Sequence, residues 1–134
     1  MNAHEQIRQI SVLIDRPPSE VYDFVSDPQN LPKWATGLGG SIENINGDWI
    51  ADAPMGKIKI AFTPRNTFGV LDHDVTLLPA GVTFHNPMRV LPLGEGSAVI
   101  FTLIRHHGMT DEKFSQDAQW IAKDLDILKG LLER

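Results

Sequence analysis

The sequence predicts an α+β protein of about seven strands, a long antiparallel meander followed by one long C-terminal helix. Three observations carry this. Apolar residues alternate at Ile10, Val12 and Ile14. Turn signals recur between alternating runs from Ser41 to Arg105. Apolar residues then return at intervals of three and four from Phe114 to Leu132, the spacing of one helix face.

The elements follow in order. "QIRQISVLID" is a first strand with Ile10, Val12 and Ile14 on one face. In "RPPSEVYDFVSDP", Pro18 suits a first helical position, and Val21, Phe24 and Val25 form a helical stripe. Asp27, before Pro28, caps a second short helix that carries Leu31 and Trp34 and ends at "GLGG". Asn46-Gly47 is a hairpin turn between "SIENI" and "DWIADA". Gly56 opens a strand whose Ile58, Ile60 and Phe62 face away from Lys57 and Lys59. "FGVLDHDVTLL", "VTFHNPMRVL" and "SAVIFTLIRH" complete the meander, Pro87 being a place for a bulge that would change the parity beyond it. Thr110 caps the last helix, with Asp111 and Glu112 where its dipole favours negative charge. Phe114, Ala118, Ile121, Leu125, Leu128 and Leu132 form its stripe, widened by Trp120, Ile127 and Leu131; its length is about 35 Å.

With 134 residues, 42% hydrophobic and 22% charged, the chain suits one globular domain, residues 1–134. It has no cysteine, which excludes disulfides, thiol catalysis and iron–sulfur clusters. A net charge of −5 argues against nucleic-acid binding, which needs clustered Lys and Arg. The start, "MNAHEQIRQI", lacks a signal-peptide pattern, and no apolar run is long enough to span a membrane, so the expectation is a cytoplasmic protein.

In "VLDHDVTLLP", Leu71, His73, Val75 and Leu77 share a face, and Asp72 and Asp74 point to the other. A two-residue turn at Ala80-Gly81 would pair Pro79 with Val82, Leu77 with Phe84, Val75 with Asn86 and His73 with Met88. That register gathers Leu71, His73, Val75, Leu77, Phe84 and Met88 on one buried face, leaving the two aspartates as solubilising charges. His73 is then either a hydrogen-bonded core residue, or a polar contact for a bound molecule or acid–base group in a cavity, since imidazole exchanges a proton near neutrality. No pair among His4, His73, His85, His106 and His107 has zinc spacing, so no metal and no cofactor is expected.

This order of elements is the helix-grip arrangement, a curved antiparallel sheet around a long helix. In "ISVLIDRPPSEVYDFVSDPQNLPKW", "FGVLDHDV", "PMRV" and "FTLIRHHGMTDEKFSQDAQWIAKDLDILKGLLE" the chain resembles the START-like superfamily, which includes the birch pollen allergen, and within it the polyketide cyclase/dehydrase-like branch. The resemblance spans nearly the whole chain and implies a deep apolar cavity for a hydrophobic small molecule. It does not imply one chemistry.

Given such a cavity, Trp34, Phe62, Phe84, Met88 and Phe101 are the first candidates to line it, with Phe24 beside them. Asn86, on the strand next to His73, is a candidate polar partner. Arg89 and Arg105 would hold a carboxylate or enolate oxygen if they faced the cavity, and are otherwise surface residues tied to acidic neighbours. Asp117 and Asp124 lie beside the helix stripe and read as solvated or salt-bridged surface. The leading expectation is a protein enclosing an aromatic, polyketide-like or lipid molecule, as a cyclase, dehydratase or isomerase with His73 moving a proton. The alternatives are a non-catalytic lipid or quinone carrier or sensor, and a chaperone-activator-like interaction module; a homodimer is left open.

Overall fold

The computed structural model describes residues 6–38, 40–54 and 56–134, so His4 and part of "GLGG" lie outside the described residues. The elements are β1 (Ile7–Ile14), α1 (Pro18–Ser26), a 3-10 turn (Pro28–Asn30), α2 (Leu31–Trp34), β2 (Ile42–Ile45), β3 (Asp48–Ala53), β4 (Gly56–Phe62), β5 (His73–Leu77), β6 (Val82–Asn86), β7 (Met88–Leu93), β8 (Gly96–Ile104) and α3 (Asp111–Leu132). All the strands pair antiparallel, in a three-stranded sheet β1-β8-β7 and a five-stranded sheet β2-β3-β4-β5-β6.

The start signals act as expected. Pro18 opens α1, and Asp27 Oδ1 accepts from the Gln29 amide at 3.0 Å. Asn46 and Gly47 take positive φ values of 53° and 93° in the β2–β3 hairpin, the geometry that favours this dipeptide. Thr110 Oγ1 accepts from the Lys113 amide at 3.1 Å at the head of α3. Phe114, Leu125 and Leu128 are buried along α3, in one cluster with Val21, Val25, Met88 and Val99. At its far end Lys129 Nζ donates to the Leu13 carbonyl at 2.6 Å, and Glu133 accepts from the Asp15 amide at 2.8 Å, fixing α3 along β1.

Two expectations about the strands need correction. "VTFHNPMRVL" forms two strands in different sheets, so there are eight strands among the described residues, not about seven. Pro87 makes the break: it has no N–H to extend a ladder, and its carbonyl accepts from the Thr102 amide at 2.9 Å. Asp72 holds this corner, accepting from the Met88 amide at 2.8 Å and from the Arg89 guanidinium. It is therefore a structural acceptor and not a solubilising charge, and Arg89 is the surface arginine tied to an acid. Residues 69–71 stitch the sheets together, Val90 N donating to Gly69 O at 3.0 Å and Leu71 N to Met88 O at 2.8 Å.

The β5–β6 register is the second. The structure pairs Leu77 with Val82, Val75 with Phe84 and His73 with Asn86, two residues away from the expected pairing. The turn is wider because Pro79 has no amide hydrogen to pair with Val82, and the Gly81 amide closes the loop onto the Leu77 carbonyl instead, at 2.7 Å. A slip of two keeps every side chain on its expected face, because strand side chains alternate with period two.

Candidate functional site

A cavity of about 270 Å³ lies between the five-stranded sheet and α3. Alternation on β4 and β5 turns Ile58, Ile60, His73 and Val75 toward it, with Asn86 from β6 and Phe101 from β8. Leu31 and Trp34 of α2 and residues 35, 37 and 38 close one end. α3 contributes Trp120, Ile121, Asp124 and Leu125, one helical stripe. Trp120 is 52% exposed and marks the mouth.

His73, only 8% exposed, is the titratable group of the sheet wall, beside Asn86 on the next strand. Its Nδ1 lies 3.0 Å from the Leu71 carbonyl, which only accepts, so Nδ1 carries the hydrogen. Nε2 then holds a lone pair, and no described residue donates to it. Phe62 and Phe101 flank the ring, with centroids 4.9 Å and 6.0 Å away. Burial pushes the imidazole pKa down, outweighing the opposite pull of the Leu71 bond, so the ring is neutral.

A stability prediction follows from that sign. The unfolded chain takes up a proton near the ordinary pKa of about 6.5, which the folded ring refuses. Stability is therefore full above that pH and falls as the pH drops below it, by up to about 1.4 kcal/mol per pH unit, until the depressed folded value is passed. Urea melts at about pH 7.5 and 5.5 are expected to show the loss, and His73→Leu to reduce it; equal losses in both proteins would refute the assignment.

Trp34, 5% exposed, has a buried Nε1–H with no acceptor among the described residues. Asp124 Oδ1 accepts from Thr36 Oγ1 at 2.7 Å and Thr36 N at 3.2 Å, tying α3 to the segment at the mouth. Partial burial pushes its carboxyl pKa up, against the two Thr36 bonds. Asp124 was expected to be solvated and is instead half-buried on the lining. Its position four residues after Trp120 and one before Leu125 was the available signal, since both neighbours belong to the apolar stripe.

Of the residues singled out from the sequence, Trp34, His73, Asn86 and Phe101 meet at this cavity. Phe62 backs the His73 ring, and Met88 is fully buried in the core. Phe84 lies on the His106 ring, 4.4 Å between centroids, and Phe24 lies under Lys33 Nζ at 5.9 Å. Arg105 turns away, donating to the Met109 carbonyl at 2.8 Å and to Asp111 at 2.6 Å. It borders a separate cleft of about 790 Å³ with Arg8, His106 and His107. That cleft is larger but polar and open, and its arginines serve the protein: Arg105 as above, Arg8 over the Phe114 ring at 4.8 Å. The smaller, apolar cavity is the better candidate site. Among the described residues no group of three or more His, Asp or Glu is placed to hold a metal ion, and no helix is long and apolar enough to cross a membrane.

Fold and cavity together define a helix-grip protein with the architecture of the START-like, birch-pollen-allergen-like superfamily. The chain belongs to the family described as polyketide cyclase / dehydrase and lipid transport, which matches residues 8–133. Among solved structures it is similar to a START superfamily protein from Mycobacterium smegmatis, with TM-score 0.74, 12% identity and coverage of 96% of this chain and 97% of that one. It is similar to the Aha1 dimer from Colwellia psychrerythraea, with TM-score 0.71, 16% identity and coverage of 95% and 96%. Ara h 8.0201 gives TM-score 0.66, 13% identity and coverage of 94% and 96%. At such identities the likeness is one of fold. No curated protein matches the sequence.

Proposed function

We propose that this protein encloses a hydrophobic small molecule, aromatic or polyketide-like, in the cavity under α3, and that His73 is the group that exchanges a proton with it. The observation that carries this reading is a neutral imidazole with an unengaged Nε2 in a mostly apolar lining whose other polar side chains are Asn86 and Asp124. Such a nitrogen accepts the proton released on enolisation, the step shared by ring closure, dehydration and isomerisation of carbonyl compounds. Trp34, Phe101 and Asn86 position the ligand. Family membership supports the reading, because the family description names both cyclase/dehydrase chemistry and lipid transport. The cysteine-free chain suits a cytoplasmic setting.

Carriage without turnover is the second reading. It is favoured by the partner of His73 Nδ1, a backbone carbonyl and not the carboxylate that commonly orients a catalytic imidazole. Native mass spectrometry of freshly purified protein, followed by identification of the bound molecule, separates the two. Under the catalytic reading the wild type converts that molecule, and His73→Ala abolishes conversion while binding persists. Binding without conversion by the wild type establishes the carrier. If binding and conversion both survive His73→Ala, the role given to His73 is wrong.

A further inference from the structure

The polar character of the lining points to the chemical class of the ligand. This inference rests on the reading of the cavity as a ligand site. Among the described residues no Lys or Arg lines it, and the one carboxylate there, Asp124, is already engaged by Thr36. An anionic headgroup would enter a mostly apolar space, with the neutral Asn86 amide but no cation to pair with it and a carboxylate at the mouth. Fatty acids and aromatic carboxylates are disfavoured on that ground.

The lining does offer an acceptor. The tautomer set by Leu71 leaves His73 Nε2 ready to take a hydrogen bond from a ligand O–H. A buried acceptor left unmade discriminates strongly between a ligand that donates to it and an isostere that does not. Trp34, on α2 at one end of the cavity, adds a buried donor without an acceptor among the described residues. The volume of about 270 Å³ is at the lower edge of the range for small-molecule sites, which suits one or two rings.

We infer that the cavity selects a neutral hydroxylated aromatic molecule of one or two rings, a phenol or enol, whose O–H donates to His73 Nε2, and that it rejects carboxylates of the same size.

A matched series tests this on the intact chain by calorimetric or fluorescence titration near pH 7.5: naphthalene, 1- and 2-naphthol, 1-methoxynaphthalene and 1-naphthoate. At least one naphthol is expected to bind about tenfold more tightly than naphthalene. The methoxy compound, an acceptor without a donor, should gain much less. Naphthoate is expected to bind more weakly than naphthalene. His73→Leu should remove the naphthol advantage and leave naphthalene binding in place. Asp124→Asn, which retains an acceptor for Thr36, should recover part of the naphthoate binding. The wild-type series stands by itself if either variant fails to fold. Naphthalene binding as tightly as both naphthols, or naphthoate binding most tightly, would overturn the inference while the ligand-site reading stands. If no member of the series binds to folded protein, the ligand-site reading falls and the inference with it.

Discussion

Replacing Phe114 with alanine is expected to destabilise the protein by about 3–5 kcal/mol, the usual cost of truncating a buried aromatic. Phe114 is 1% exposed in the first turns of α3, where the helix meets the sheet. The loss has two parts: transfer of the ring out of a packed environment, and the void that a rigid sheet cannot fill. A third contribution is local. Arg8 and Arg105 lie over the ring at 4.8 Å and 5.6 Å, and both lose that contact. For a domain stabilised by about 5–15 kcal/mol this is a large fraction. It corresponds to a fall in Tm of roughly 10–20 °C. Trp120 on the same helix is the comparison, because it is half exposed at the cavity mouth. Trp120→Ala should cost under about 1 kcal/mol, so thermal melts in which Trp120→Ala loses as much as Phe114→Ala would refute this account of the core.

Gly69→Ala is expected to cost about 2–4 kcal/mol, from left-handed strain together with a backbone collision. Gly69 has φ of +73°, and a Cβ there would sit 2.2 Å from the Val90 carbonyl oxygen. That oxygen belongs to backbone stitched to residues 69–71, so it cannot move without opening the junction of the two sheets. Gly47→Ala separates the two effects. Gly47 also has positive φ, +93°, but a Cβ there meets nothing within 4 Å. Its cost should be strain alone, about 1 kcal/mol. Urea denaturation of the two variants is expected to differ by about 1–3 kcal/mol; equal values would show that the close approach at Gly69 carries no energy.

Both positions bear on what was legible in the chain. The Phe114–Leu132 stripe was readable because helical spacing is a local property, set by backbone geometry. So were the caps at Asp27 and Thr110 and the Asn46-Gly47 turn, each a side chain or φ preference acting within a few residues. Side-chain faces on β5 and β6 were also readable, since a register error of two residues leaves them unchanged. The register itself was not: two-residue and four-residue loops put the same faces together, and only the Gly81 amide bond to the Leu77 carbonyl distinguishes them.

The candidate site divides in the same way. Trp34, His73, Asn86 and Phe101 were selected as residues of the right chemistry on inward faces. Phe24, Phe84 and Arg105 met the same criteria, but the structure directs them to Lys33, His106 and the Met109–Asp111 segment. Asp124 was passed over because a carboxylate beside an apolar stripe is normally solvated. Its place on the lining stripe was a signal in the spacing, but its bond with Thr36, 88 residues away in sequence, was not.

By itself, then, the sequence determined the α+β class, the order of elements, the face each side chain presents and the absence of cysteine chemistry. Periodicity, caps and turns are encoded within a few residues, and these features need nothing more. The tertiary structure decided how the sheet divides at Pro87, which candidates meet at one cavity, and which nitrogen of His73 stays available. Those outcomes depend on hydrogen bonds and packing between residues far apart in the chain, and spacing along a sequence carries no record of which distant group arrives.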